Sequence, residues 1–224
     1  MKFNLTGFRF FNSIYWLALS LWLGALVMVA LTAAVIFPTM RDLDVTIPEF
    51  AEAGYTGDHW RIAAGHVMEI LFLVLDFTQL ICMTVALLVT ALQFTVLGVS
   101  LRRFTHVTRI FAILIASGCV CWHVFMLSPQ MNRDLRAYWE AARAGDFAAA
   151  DVHQQAFESA HPTASRLLGS TAVLVAVVII TSAAGVVPLK PASEMEDDPG
   201  HSGTATAKKG SGIQEPELLR KLGV

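Results

Sequence analysis

One aspartate lies in a segment where nearly every other residue is apolar. Asp76 falls within residues 70–90, which otherwise consist almost entirely of aliphatic, aromatic and sulfur-containing side chains. An ionisable group at the centre of a bilayer costs at least ~2.5–3.5 kcal/mol, so it normally faces a protein interior, a cavity or a partner charge. Because such groups commonly belong to proton or ion pathways, Asp76 is the first candidate for a functional residue.

Three further polar residues extend the helical face of Asp76. Glu69 precedes Asp76 by about two helical turns, so the two carboxylates point in nearly the same direction, about 10 Å apart along the axis. We call this set the polar seam: His66, Glu69, Asp76 and Gln79. The pattern predicts either a path for a proton, a cation or a small solute, or a device that joins helices. In the second interpretation Arg166 is the expected ion-pair partner of Glu69.

Histidine, cysteine and methionine residues indicate a second kind of chemistry. His66, His123 and His161 lie near the same end of three different predicted spans, and Cys119 and Met126 share a helical face with His123. These side chains suit a soft metal such as Cu(I), and two imidazoles from facing helices are typical ligands of haem iron. Alternatively, the histidines are ordinary interfacial residues, since the chain has no CxxC, CxxCH or HExxH pattern.

The composition predicts that a membrane-embedded bundle positions these residues. The chain is 55% hydrophobic and only 15% charged, with a mean hydropathy of +0.57, whereas soluble domains carry about 25% charged residues. We therefore predict an all-α, four-transmembrane-helix bundle within residues 1–188. Four segments reach the ~20 residues needed to cross a bilayer, and prolines follow the first, third and fourth: residues 14–37, 67–94, 110–127 and 167–187.

The distribution of charge predicts the orientation of the bundle. Arg102, Arg103 and Arg109 lie between the second and third spans without an acidic residue among them, whereas residues 41–61 and 130–166 mix both signs. Basic residues near span ends favour the cytoplasm. We therefore expect a multi-pass protein of the inner (plasma) membrane with cytoplasmic N- and C-termini.

The sequence also predicts the structure of the segments outside the spans. Residues 41–61 are expected to be irregular, and residues 133–143 and 147–160 are expected to form two short outward-facing helices separated by Gly145. Residues 189–224 are rich in Gly, Ser, Thr, Lys and Glu, which predicts a disordered cytoplasmic tail.

Several function classes lack support in the sequence. The net charge of −2 and the scattered basic residues argue against a nucleic-acid partner. No GxSxG motif and no glycine-rich phosphate loop is present, so no catalytic residue is predicted and an enzyme is not favoured. The leading prediction is non-enzymatic handling of a proton, a cation or a small solute. The alternatives are a redox protein binding haem or copper, and a scaffold subunit acting as a homo-oligomer or with a membrane partner.

Two stretches of sequence carry the pattern of a known family. One is Leu21-Trp-Leu-Gly-Ala-Leu-Val with its exit Phe37-Pro-Thr-Met-Arg-Asp-Leu, and the other runs from Phe157 through His161 to Ser165. Both resemble the transmembrane protein 205-like family, also known as domain of unknown function 4149. The resemblance implies a four-span membrane domain without an established reaction.

Overall fold

The structure, a computed structural model, describes residues 5–95 and 104–184, and it describes side chains from residue 9 onward. All the regular structure in these residues is helical. The fold class predicted from the sequence is therefore confirmed as all-α. In chain order the elements are α1 (Leu5–Asp42), α2 (Pro48–Glu52), α3 (His59–Thr95), α4 (Phe104–Trp122), a π-helical segment π1 (His123–Leu127), α5 (Ser128–Arg143) and α6 (Phe147–Ala184).

Four continuous helical rods are long and apolar enough to cross a membrane. Their most apolar windows have mean hydropathies of 2.2 to 2.4, and the rods contain 34 to 40 residues each. At 1.5 Å per residue they are about 50–60 Å long, well beyond the ~30 Å hydrocarbon core. Each rod therefore continues outside the hydrocarbon core. The rods are Arg9–Asp42, His59–Thr95, Phe104–Arg143 and Phe147–Ala184.

Prolines do not end the helices where the sequence predicted ends. Pro38 lies inside α1, which continues to Asp42, and Pro129 lies in the first turn of α5. A proline removes one backbone donor, which a helix near its end or at a π segment tolerates. Helical structure therefore continues past residues 37 and 127, where the predicted spans end.

Residues 133–143 and 147–160 are helical and separated at Gly145, as predicted from the sequence, but each belongs to a longer rod and is not a short helix of its own. Residues 133–143 are the end of the rod formed by α4, π1 and α5, and residues 147–160 are the beginning of α6, which contains Pro162. Gly145, with a φ of 77°, forms the turn between the two rods. This conformation suits glycine because it has no Cβ. The predicted tail and the C-terminal part of the fourth span beyond residue 184 lie outside the described residues.

The rods pack as two closely associated pairs. Helix α1 packs mainly on α3, and α6 packs mainly on α4 and α5, while contacts between α1 and α6 are fewer. The apolar core between them includes fully buried side chains from each rod: Leu19, Trp22, Leu75, Ile113, Val120, Val175 and Val178.

A second, smaller core covers one end of the bundle. Residues 41–61, expected to be irregular, include the short helix α2, whose Phe50 is fully buried. Phe50 packs with Ile62, Tyr138 and Trp139 from α3 and α5. We call this end of the bundle the loop side, because the connections α1–α3 and α5–α6 both lie there.

Candidate functional site

Asp76 is buried where α3 meets the π segment. The residue is 7% exposed, and its Oδ2 accepts a hydrogen bond from Ser128 Oγ at 2.9 Å. Its Oδ1 lies 3.4 Å from Nε2 of His123, which is 5% exposed. This distance is that of an ion pair, but the two groups are not oriented as a hydrogen bond. A carboxyl group and an imidazole therefore face each other in an interior shielded from water.

The π segment turns His123 towards Asp76. The Ser128 N–H donates to the His123 carbonyl, five residues earlier, which is the π pattern. Single π turns within α-helices are rare and frequently occur at functional sites. The altered register buries His123 and leaves Met126 62% exposed, so the predicted common face of these two residues is wrong. The third span is predicted to end at residue 127, and the sequence pattern does not indicate the extra residue in this turn.

Gln79 continues the polar seam deeper into the bundle. Its side chain is fully buried, and its Oε1 accepts a hydrogen bond from Trp22 Nε1 of α1 at 3.4 Å. Its Nε2 has no hydrogen-bond partner among the described residues. An unsatisfied buried donor costs about 1–3 kcal/mol of folding stability, so Gln79 destabilises the bundle at this position.

Glu69 and His66 lie nearer the loop side and have other partners than predicted. Glu69 Oε1 lies 2.7 Å from Nε of Arg136 in α5, while Arg166 is exposed. The expected pairing with Arg166 was therefore wrong, because α5 brings its own arginine across α3. The His66 ring stacks on Trp139, with ring centroids 3.8 Å apart.

The structure does not bring the predicted metal or haem ligands together. His66 stacks on Trp139, His123 faces Asp76, and His161 is an exposed residue whose ring lies beside Phe157. No group of three or more His, Cys, Asp or Glu side chains within residues 5–95 and 104–184 has the arrangement of a metal site. Cys119 is half-buried and Met126 faces outward. These residues do not fit the ligand set proposed for haem or copper.

A large cleft connects the Asp76 site with the loop side. Its volume is about 1100 Å³, and it lies between α1, α3, α5 and α6. His123 and Ser128, the two partners of Asp76, line it, and so does Glu69. Asp58 and Arg61 line it at the loop-side end of α3. The cleft therefore reaches both partners of the buried carboxyl group, although Asp76 itself does not line it.

The class of protein that this fold defines is a multi-pass helical membrane protein. No family model, curated protein or solved structure matches the chain. The resemblance to the transmembrane protein 205-like family therefore stays a prediction, and the function must be argued from the site itself.

Proposed function

We propose that this membrane protein takes up and releases a proton at the Asp76–His123 pair, as part of the non-enzymatic handling of a proton, a cation or a small solute. The observation that carries the proposal is the 3.4 Å approach of two buried ionisable groups beside a cleft. Ionisable residues inside a membrane bundle are costly, and proton relays built from Asp, Glu and His are among their established uses.

The chemistry of the pair favours storage of a single proton. A carboxylate with an imidazolium and a carboxylic acid with an imidazole have the same net charge, so the proton can lie on either group without creating a net charge in the interior. Ser128, which donates to the carboxyl group, holds it in place in both states.

Access to the pair is proposed from the loop side. Glu69, about 10 Å from Asp76 along α3, also lines the cleft. Beyond Asp76 the seam ends at Gln79, which is fully buried beside the apolar core. The positive-inside pattern assigns the loop side to the exterior face of the inner membrane and both termini to the cytoplasm. Protons would therefore enter from outside.

A difference titration tests the proposal. Proton uptake by the purified protein in mild detergent is measured against pH for the wild type and for Asp76→Asn, with Asp44→Asn as the control because Asp44 is an exposed aspartate outside the cleft. We expect Asp76→Asn to remove about one proton from the titration curve and to change the histidine part of it, because Asp76 is in contact with His123. Asp44→Asn should leave the histidine part unchanged. Identical curves for the wild type and Asp76→Asn would show that Asp76 does not exchange protons and that the seam only joins helices.

A further inference from the structure

The cleft has apolar walls that continue onto the outer surface of the bundle. Leu26, Ala30 and Ala33 of α1 line one side, and Leu168 and Ala172 of α6 line the other. Ala30 is exposed as well as lining the cleft, so the cleft reaches the surface that the spans present to lipid. Ligand pockets for small molecules usually measure about 300–1,000 Å³, so this cleft is large enough for an extended amphiphile.

The loop-side mouth of the cleft carries charges of both signs, with an excess of acidic groups. Arg61 Nη2 lies 3.3 Å from Glu158 Oε1, and both residues line the cleft. Asp58 and Asp151 also line it, and both are exposed without an ion pair among the described side chains. The exposed His161 adds a donor at the same end. The mouth therefore complements a zwitterionic headgroup, whose ammonium group the carboxylates attract and whose phosphate the arginine attracts.

We propose that the cleft binds a phospholipid with a primary-amine headgroup, taken from the leaflet on the loop side. The acyl chains lie between α1 and α6, the ammonium group faces Asp58 and Asp151, and the phosphate faces Arg61. An anionic lipid without the amine would place its negative charge near the two unpaired carboxylates, which would repel it. The inference goes beyond proton uptake, because it needs no change of charge at Asp76.

Native mass spectrometry of delipidated protein tests the headgroup. Phosphatidylethanolamine and phosphatidylglycerol with identical acyl chains are added back separately, and the bound fraction is measured. We expect one phosphatidylethanolamine per chain, bound about tenfold more tightly than phosphatidylglycerol. The double variant Asp58→Asn, Asp151→Asn should remove this preference. Equal binding of the two lipids to the wild type, or no bound lipid, would overturn the proposal.

Two matched glycine variants test the location. A Cβ at Gly169, which lines the cleft, meets no atom within 4 Å, and the same holds for Gly118 of α4, which does not line it. Both glycines are exposed and helical. Gly169→Trp should fill the cleft and weaken lipid binding at least tenfold, whereas Gly118→Trp should leave binding unchanged.

Thermal melting shows whether each variant remains folded, and Ala33→Trp fills the cleft from the opposite wall in case Gly169→Trp does not fold. Unchanged lipid binding in a folded cleft variant would overturn the proposal. Proton uptake at Asp76 is measured separately by titration. Failure of the lipid-binding proposal can therefore be distinguished from failure of the proton-uptake proposal.

Discussion

The Asp76–His123 contact predicts a coupling free energy that depends on pH. We consider a double-mutant cycle built from Asp76→Asn and His123→Gln, which keep similar shapes and polar groups. At the observed 3.4 Å, two opposite unit charges attract each other by about 5 kcal/mol at an effective dielectric constant of about 20. A neutral polar contact between membrane helices averages only about 0.6 kcal/mol and reaches about 1.7 kcal/mol. The coupling therefore reports whether the pair is ionised.

Detergent-induced unfolding measures this coupling. The free energy of unfolding is determined for the wild type, both single variants and the double variant across a range of pH. We expect a coupling above about 2 kcal/mol at its maximum, because the Coulomb attraction is added to the polar contact. It should fall towards about 1 kcal/mol at acid pH, where the carboxyl group is neutral, and at alkaline pH, where the imidazole is neutral.

The exposed pair Arg61–Glu158 provides the control for this cycle. Its charged atoms lie at a similar distance, 3.3 Å, but the two side chains are 48% and 47% exposed. Water and salt screen such a pair, so its coupling should stay at about 0.2–1 kcal/mol. A coupling at Asp76–His123 that is as small as this and independent of pH would refute the idea that the two groups share a titrating proton.

Two further substitutions test the packing around the seam. Trp22→Phe removes the donor to Gln79 Oε1 and should lower the free energy of unfolding by about 1–3 kcal/mol, measured by detergent unfolding, because a buried acceptor loses its partner. Gly65→Ala places a Cβ 3.1 Å from the Trp139 ring, and we expect a loss of about 1 kcal/mol by the same measurement. Gly118→Ala has open space and should be neutral or stabilising, so equal effects of the two alanines would contradict this packing.

Hydropathy was sufficient to predict the helical rods and their number. A run of about 20 apolar residues has few alternatives to a membrane-spanning helix, because the backbone polar groups must be satisfied within the segment. The burial of Asp76 and Gln79 on one face of α3 also follows from helical periodicity. Both features depend on local sequence alone, which explains why the sequence indicated them.

The residues that contact the polar seam could not be predicted from local sequence. The π turn shifts the register of the third rod, so an ideal helical wheel could not show that His123 and Ser128 both reach Asp76. Prolines were interpreted as helix ends, which hid the continuation of α5 that brings Arg136 to Glu69. Contacts between different rods are set by packing, and no pattern within one rod specifies them.

Infrared difference spectroscopy of the protein carrying ¹³C-labelled aspartate shows whether Asp76 gains and loses a proton. Spectra recorded between about pH 5 and pH 8, the range in which histidine normally changes charge, report the carbonyl stretch of a protonated carboxylic acid. We expect a pH-dependent, isotope-shifted carboxylic acid band that disappears in Asp76→Asn and changes in His123→Gln. A spectrum in which no band depends on Asp76 would contradict the account.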